Sequence, residues 1–176
     1  MYSSKTGEKS SKFKVKSAKL RRNEIYIVLD NVLDTYNIGS IFRLADAVAA
    51  KKIYICGESE IPPNHRIKKA SINTIEVVEW QYAESAKEVI DDLRLKINDL
   101  QIVAIKQVAN SIPYDKFEYK LPACLVMGHE SDGVSKEVLK VADAIVELPM
   151  FGVNKSLNVM VSLGIVLYKV VELIHI

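Results

Sequence analysis

Cysteine is scarce in this chain, and the two present, Cys56 and Cys124, stand far apart, each near the end of a predicted strand. Neither has metal-ligand spacing, so buried, reduced thiols in a cytoplasmic protein are the simplest account. Histidine is as sparse: His65, His129 and His175 are scattered, which argues against a metal centre. Long apolar runs are missing too. The longest uncharged stretch, Ser156 to Tyr168, is thirteen residues and falls short of a membrane span. The first twenty residues are polar and lysine-rich with no apolar centre, so no secretory leader is expected. Neither a Gly-x-Gly-x-x-Gly fingerprint nor a phosphate loop ending in Gly-Lys-Ser/Thr occurs, which disfavours dinucleotide and nucleoside-triphosphate sites of those types.

What is present fits one soluble domain. The 176 residues are enough for a core of their own, and the 49% apolar and 26% charged fractions are ordinary for a globular protein. The net charge of +2 hides a division. Residues 1 to 22 carry eight Lys or Arg, ending in Arg21 and Arg22, against Glu8 alone, which leaves the remainder at −5. Residues 1 to 22 therefore read as a basic, partly flexible arm and residues 23 to 176 as the domain proper. Such an arm suits a polyanion, and equally suits a solvated tail.

Short β-branched runs alternate with helical periods. Residues 24–29, 52–56, 74–78, 101–105, 123–127 and 144–148 are predicted strands; residues 38–50, 82–99, 134–142 and 157–174 are predicted helices. This alternation specifies an α/β fold with a parallel sheet covered on both faces, where ligands sit beyond the carboxyl ends of the strands. The segment Pro62-Pro-Asn-His-Arg-Ile-Lys-Lys69 reads as a basic loop. No internal repeat or interdomain linker is visible.

Three segments at strand ends carry the chemistry. The first, Asn37-Ile-Gly-Ser-Ile-Phe-Arg43, opens a helix whose apolar stripe is Ile41, Leu44, Ala45 and Val48, with Arg43 roughly opposite. A guanidinium there is a surface group or a phosphate and hydroxyl donor. The second runs from a buried strand into Gly128-His-Glu130-Ser-Asp-Gly133, a turn whose glycines allow close backbone approach or positive φ. The third, Leu148-Pro-Met150-Phe-Gly-Val-Asn-Lys-Ser156-Leu157-Asn158-Val, is a turn-rich loop before a helix apolar on nearly every side. Ser156 and Asn158 suit capping of that helix, and such an apolar helix has to be covered, by its own domain or by another subunit.

Taken in this order, Asn-Ile-Gly-Ser-Ile-x-Arg, Gly-x-Glu-x-x-Gly and Leu-Pro-Met-x-Gly-x-x-x-Ser-Leu-Asn-Val closely resemble the three motifs of the SpoU or TrmH group of SPOUT RNA methyltransferases, over residues 24 to 172. Lys69-Ala-Ser71, Ile105-Lys-Gln107 and Asn110-Ser111 add to the similarity. The resemblance implies a Rossmann-like α/β domain with a C-terminal deep trefoil knot, an exception to the rule against knotted chains. It implies an S-adenosylmethionine site built from Gly128, Leu148, Met150 and Leu157, and a homodimer that covers the last helix. The implied reaction is methyl transfer to a ribose 2′-hydroxyl of tRNA or rRNA. Arg43 would then stabilise the developing alkoxide and hold a phosphate, Asn37 and Glu130 would orient the site, and Ser156 and Asn158 would hydrogen-bond around the acceptor ribose. Arg21, Arg22, Arg66, Lys68 and Lys69, with Arg43, are the candidate RNA contacts. One departure stands out: Ile72-Asn73 occupies a place where relatives often carry Gly-Ala, so different backbone geometry is expected there. The alternative is a non-catalytic RNA-binding or assembly protein on the same scaffold, disfavoured because Arg43, Glu130, Ser156 and Asn158 are all in place.

Overall fold

A computed structural model describes residues 20–174; the arm's residues 1–19 lie outside them. The strands are β1 (Asn23–Asp30), β2 (Ala50–Cys56), β3 (Trp80–Ala83), β4 (Gln101–Ile105), β5 (Ile112–Pro113), β6 (Ala123–Gly128) and β7 (Ala144–Glu147). They form one sheet in the order β3-β2-β1-β6-β4-β7-β5, with every neighbouring pair parallel. The helices are α1 (Thr35–Ala47), α2 (His65–Ser71), α3 (Ala86–Lys96), α4 (Lys136–Val141) and α5 (Val159–Val171). None is long and apolar enough to cross a membrane.

Strand alternation sorts the core into two halves. Ile25, Ile27 and Leu29 of β1 face a cluster with Ile38, Ile41 and Phe42 of α1 and Leu163, Val166 and Leu167 of α5. Tyr26 and Val28 face the other cluster, with Ile90 and Leu93 of α3 and Val138 of α4. Both faces are therefore dry, which is why β1 and β6 read as continuous apolar runs rather than as alternating ones. Cys56 and Cys124 are free, buried thiols in the second cluster. Burial, with Asp30 nearby, pushes the Cys56 thiol up to about 12, far from a reactive thiolate.

Two sequence expectations are corrected. Residues 74–78 are not a strand: Thr74–Glu76 is a 3-10 turn, entered through Ile72 and Asn73, whose φ values of 49° and 68° are left-handed. The Thr74 hydroxyl donates to the Ser71 carbonyl at 2.7 Å and holds that turn. The third strand lies later, at Trp80–Ala83, where Trp80 meets Phe42 edge-on with ring centroids 6.4 Å apart, a contact worth about 0.5–1.5 kcal/mol. Residues 62–69 are not a loop throughout, because Asn64 caps α2 by accepting from the N–H groups of Arg66 and Ile67.

At the other side, β7 is threaded between β4 and β5. Ile105 and Ile112 are both in register with Val146, one on each flank. The bridge 106–111 therefore spans the carboxyl end of β7, and the chain leaving that strand has to pass this bridge before α5 returns to pack on α1 and β6.

Candidate active site

The carboxyl ends of β4, β6 and β7 open onto a cavity of about 250 Å³. Gly128, Leu148, Met150 and Leu157, the expected cofactor contacts, all line it, together with Glu130 and Ser156. Its wall is the turn 128–134, and that turn requires glycine twice. A Cβ on Gly128 would stand 2.1 Å from the Gly133 carbonyl carbon and 2.2 Å from the Val134 nitrogen, while Gly133 itself has φ +68°.

The turn is held from three directions. Glu130 accepts from the main-chain N–H groups of Leu33 and Asp34 at 3.1 and 3.0 Å, at the start of α1. The buried Asp30 carboxylate, at the end of β1, accepts from Ser135 N–H at 2.8 Å. Lys106, just past β4, donates through Nζ to the carbonyls of Asp132 and Val134 at 2.7 and 2.8 Å. Partial burial acts to raise the Glu130 pKa, but the N–H donors of Asp34 and Leu33 and the Asn37 amide outweigh it and hold the carboxyl below its usual range.

Asn37 joins the three motifs. Only 6% exposed, it donates through Nδ2 to Glu130 at 3.2 Å and accepts at Oδ1 from Asn158 Nδ2 at 2.9 Å. Asn158 is the cap of α5, accepting from the N–H groups of Met160 and Val161, so it both starts that helix and ties it to α1. Ser156 does not cap; it is exposed at the cavity's edge. Glu147, also lining the cavity, accepts from the Ser111 hydroxyl at 2.9 Å, which places the Asn110-Ser111 segment against the site.

Arg43 is elsewhere. It is exposed on α1 and lines none of the cavity in its own chain. Arg66, Lys68 and Lys69 are exposed on α2, and Arg66 lines a second groove beside the first. Arg21 and Arg22 sit at the amino end of β1, an eight-residue strand that spans about 26 Å and separates them from the site. Arg22 is tied there to the carbonyls of Val77 and Ala50 at 2.5 and 3.4 Å. Sequence reading gave no role to Asp30, to Lys106 of the Ile105-Lys-Gln107 segment, or to His129 of the second motif. The signal that could have found all three was position, immediately at or after the end of a strand in an α/β pattern. Among the described residues no group of side chains is arranged to hold a metal ion.

Comparison with known proteins places this geometry. The model of the SpoU rRNA Methylase family matches residues 24–168. The tRNA (guanosine(18)-2′-O)-methyltransferase of Aquifex aeolicus is 33% identical over 153 residues, covering 85% of this chain and 69% of that protein. The enzyme of the same name from Escherichia coli K12 is 27% identical, covering 85% and 63%. A solved AdoMet-bound rRNA methyltransferase from Sinorhizobium meliloti superimposes with a TM-score of 0.77 at 30% identity, covering 85% of this chain and 56% of that one. The chain thus spans roughly half to two thirds of these proteins' lengths. With its three motifs brought together at the threaded end of a parallel sheet, it has the knotted fold of the SpoU methylases and belongs to that family.

Proposed function

We propose that the chain is an S-adenosylmethionine-dependent methyltransferase acting on a ribose 2′-hydroxyl of tRNA or rRNA. The observation that carries this reading is the line Glu130–Asn37–Asn158, in which hydrogen bonds join all three motifs beside the cavity. The cavity's chemistry fits the cofactor. Met127, Leu148, Met150, Leu157 and Val159 offer apolar surface for an adenosine, and Lys106 is occupied by two carbonyls rather than presented to a phosphate.

The cofactor supplies an electrophilic methyl group when bound. Every other requirement falls on the protein. Gly128, Leu148, Met150 and Leu157 would hold the adenosine, and the Asp30, Lys106 and Glu130 bonds fix the wall against which it would be positioned. Ser156 hydrogen-bonds the acceptor ribose from the cavity edge, and Asn37 and Asn158 set the angle at which α5 leaves that edge. A guanidinium is a poor general base, so the work of Arg43 is to stabilise the developing alkoxide and hold a phosphate.

Because Arg43 lies off its own cavity, it serves the cavity of a second copy. An exposed apolar stripe on α5, Val161 and Tyr168 with Leu157 before and Leu173 after, supports a homodimer. A cytoplasmic location belongs to the same reading, supported by the two buried free thiols.

Labelled S-adenosylmethionine incubated with the protein and with tRNA or rRNA should leave label on ribose. RNA binding without transfer would instead support the non-catalytic scaffold. Arg43→Ala should lower transfer roughly 100- to 1,000-fold while calorimetry shows cofactor affinity nearly unchanged; parallel loss of affinity contradicts the assignment.

A further inference from the structure

A second cavity, of about 740 Å³, lies beside the first and shares His129 and Glu130 with it. Its remaining wall comes from the turn into α1 and that helix's first residues, including Tyr36, from Glu60 in the loop before α2, and from the start of α2, including Arg66. Two of its three carboxylates are committed within the protein: Asp34 accepts from the N–H groups of Tyr36 and Asn37 as the cap of α1, and Glu130 accepts from Leu33, Asp34 and Asn37. Glu60, the third, is exposed. What the groove offers a ligand is therefore an aromatic face, Tyr36 at 51% exposure, the Arg66 guanidinium, the exposed His65 imidazole and Glu60 carboxylate, and a second imidazole, His129, at the partition.

That imidazole has a defined orientation. His129 Nδ1 accepts from the N–H groups of Ser131 and Asp132 at 3.0 and 3.3 Å, which assigns the ring proton to Nε2. The Asp132 carboxylate lies 3.7 Å from the same Nδ1 and does not compete for Nε2. A turn of main chain thus holds one N–H donor at the boundary between the cofactor cavity and the groove.

We propose that the groove is the subsite for the nucleotide that accepts the methyl group. Its base, unstacked from the RNA, lies on Tyr36; its phosphate meets Arg66; and His129 Nε2–H donates to an oxygen of its ribose. His129 is a positioning residue: it places the ribose at the cofactor cavity without taking part in the transfer. Single-stranded RNA is recognised in this way, by stacking on aromatic rings and by donors to ribose and phosphate. The proposal rests on the RNA methyltransferase reading.

The test separates the two nitrogens of His129. In His129→Asn the side-chain oxygen replaces Nδ1 as the acceptor for Ser131 and Asp132, so the turn survives while the Nε2 donor is lost. With bulk tRNA and purified rRNA as substrates, His129→Asn and Tyr36→Ala should each lower kcat/KM for RNA roughly tenfold or more. The affinity for S-adenosylmethionine should stay within about twofold, and Tyr36→Phe should restore most of the loss. Unchanged RNA kinetics in Tyr36→Ala, or cofactor affinity lost in step with transfer, overturns the proposal. Should the wild-type protein transfer no methyl to either RNA, the functional reading fails separately. Fluorescence anisotropy with the same RNAs then decides the groove as a nucleotide site: weaker binding by Tyr36→Ala upholds it in that role alone, and equal binding overturns it there too.

Discussion

At the amino end of the sheet, polar side chains close loops on nearby main chain, beside local ion pairs such as Lys51–Glu24 and Arg94–Asp143. Arg22 donates to Val77 O, Asn23 donates to Val48 O at 2.8 Å, and Asp143 accepts from Ile102 N–H at 2.6 Å. At the carboxyl end Glu130, Asn37 and Asn158 also bond one another, across sequence separations of 93 and 121 residues, in addition to the main-chain bonds of Glu130 and Asn158. The first arrangement closes loops and costs only stability when broken. The second couples the shape of a cavity to the placement of two helices, so damage there reaches the chemistry as well as the fold.

The sharpest way to break the comparison is Gly128→Ala. The new Cβ would meet main-chain atoms of Gly133 and Val134 at 2.1 to 2.3 Å, and backbone cannot step aside as a flexible side chain can. Cofactor affinity should fall more than roughly 100-fold, as befits a loss of several kcal/mol, with calorimetry as the measure and circular dichroism to check folding. At the amino end, Asn23→Ala should lower stability by about 1 kcal/mol and leave transfer intact. If Arg43 serves its partner's cavity, mixing Arg43→Ala and Gly128→Ala subunits restores activity, since half the sites of each hybrid carry neither lesion. Mixtures as inactive as their parents would place Arg43 and Gly128 in the same site.

A smaller effect comes from acid. The folded-state pKa of Glu130 lies below its ordinary value of 4.5, so its bonds to Leu33, Asp34 and Asn37 stabilise the protein fully above that value. The contribution is lost as pH falls through the lower folded pKa. Glu130→Gln should therefore show a flatter decline in stability as pH falls below 4.5, measured by urea unfolding. An unchanged acid limb would mean that the carboxylate's charge is irrelevant to the carboxyl-end network.

Much of this network was legible in order but not in contact. The three motifs gave Asn37, Glu130 and Asn158 as site residues, and the alternation of strand and helix placed them at the carboxyl ends. Their mutual bonds depend on how far β1, β6 and the loop after β7 project, which no spacing encodes. Lys106 and Asp30 escaped for the same reason: each is an ordinary charged residue until register sets it against the turn 128–135. The helix α2 was missed because it has seven residues and one fully buried apolar side chain, Ile67, too few to show a period. The strand expected at 74–78 failed differently. Thr-Ile-Glu-Val-Val has strand propensity, but the left-handed pair Ile72-Asn73 turns the chain before a strand can begin, and pairing is delayed to Trp80.

That left-handed pair allows a finer control, lying off the hydrogen-bonded network at the carboxyl end. Isoleucine is β-branched, and at φ 49° its Cβ crowds the following carbonyl. The side chain is 59% exposed, so little packing offsets the strain. Glycine would relieve about 1–2 kcal/mol of backbone strain and give back about 0.4–1 kcal/mol through the freer unfolded chain. Ile72→Gly should therefore stabilise the protein by roughly 0.5–1 kcal/mol in urea unfolding, with cofactor affinity and transfer unchanged. Strain kept for function behaves otherwise, since relieving it costs activity. A stabilised but slower Ile72→Gly enzyme would show that the geometry after α2 also shapes the site, extending the coupled region beyond the three motifs.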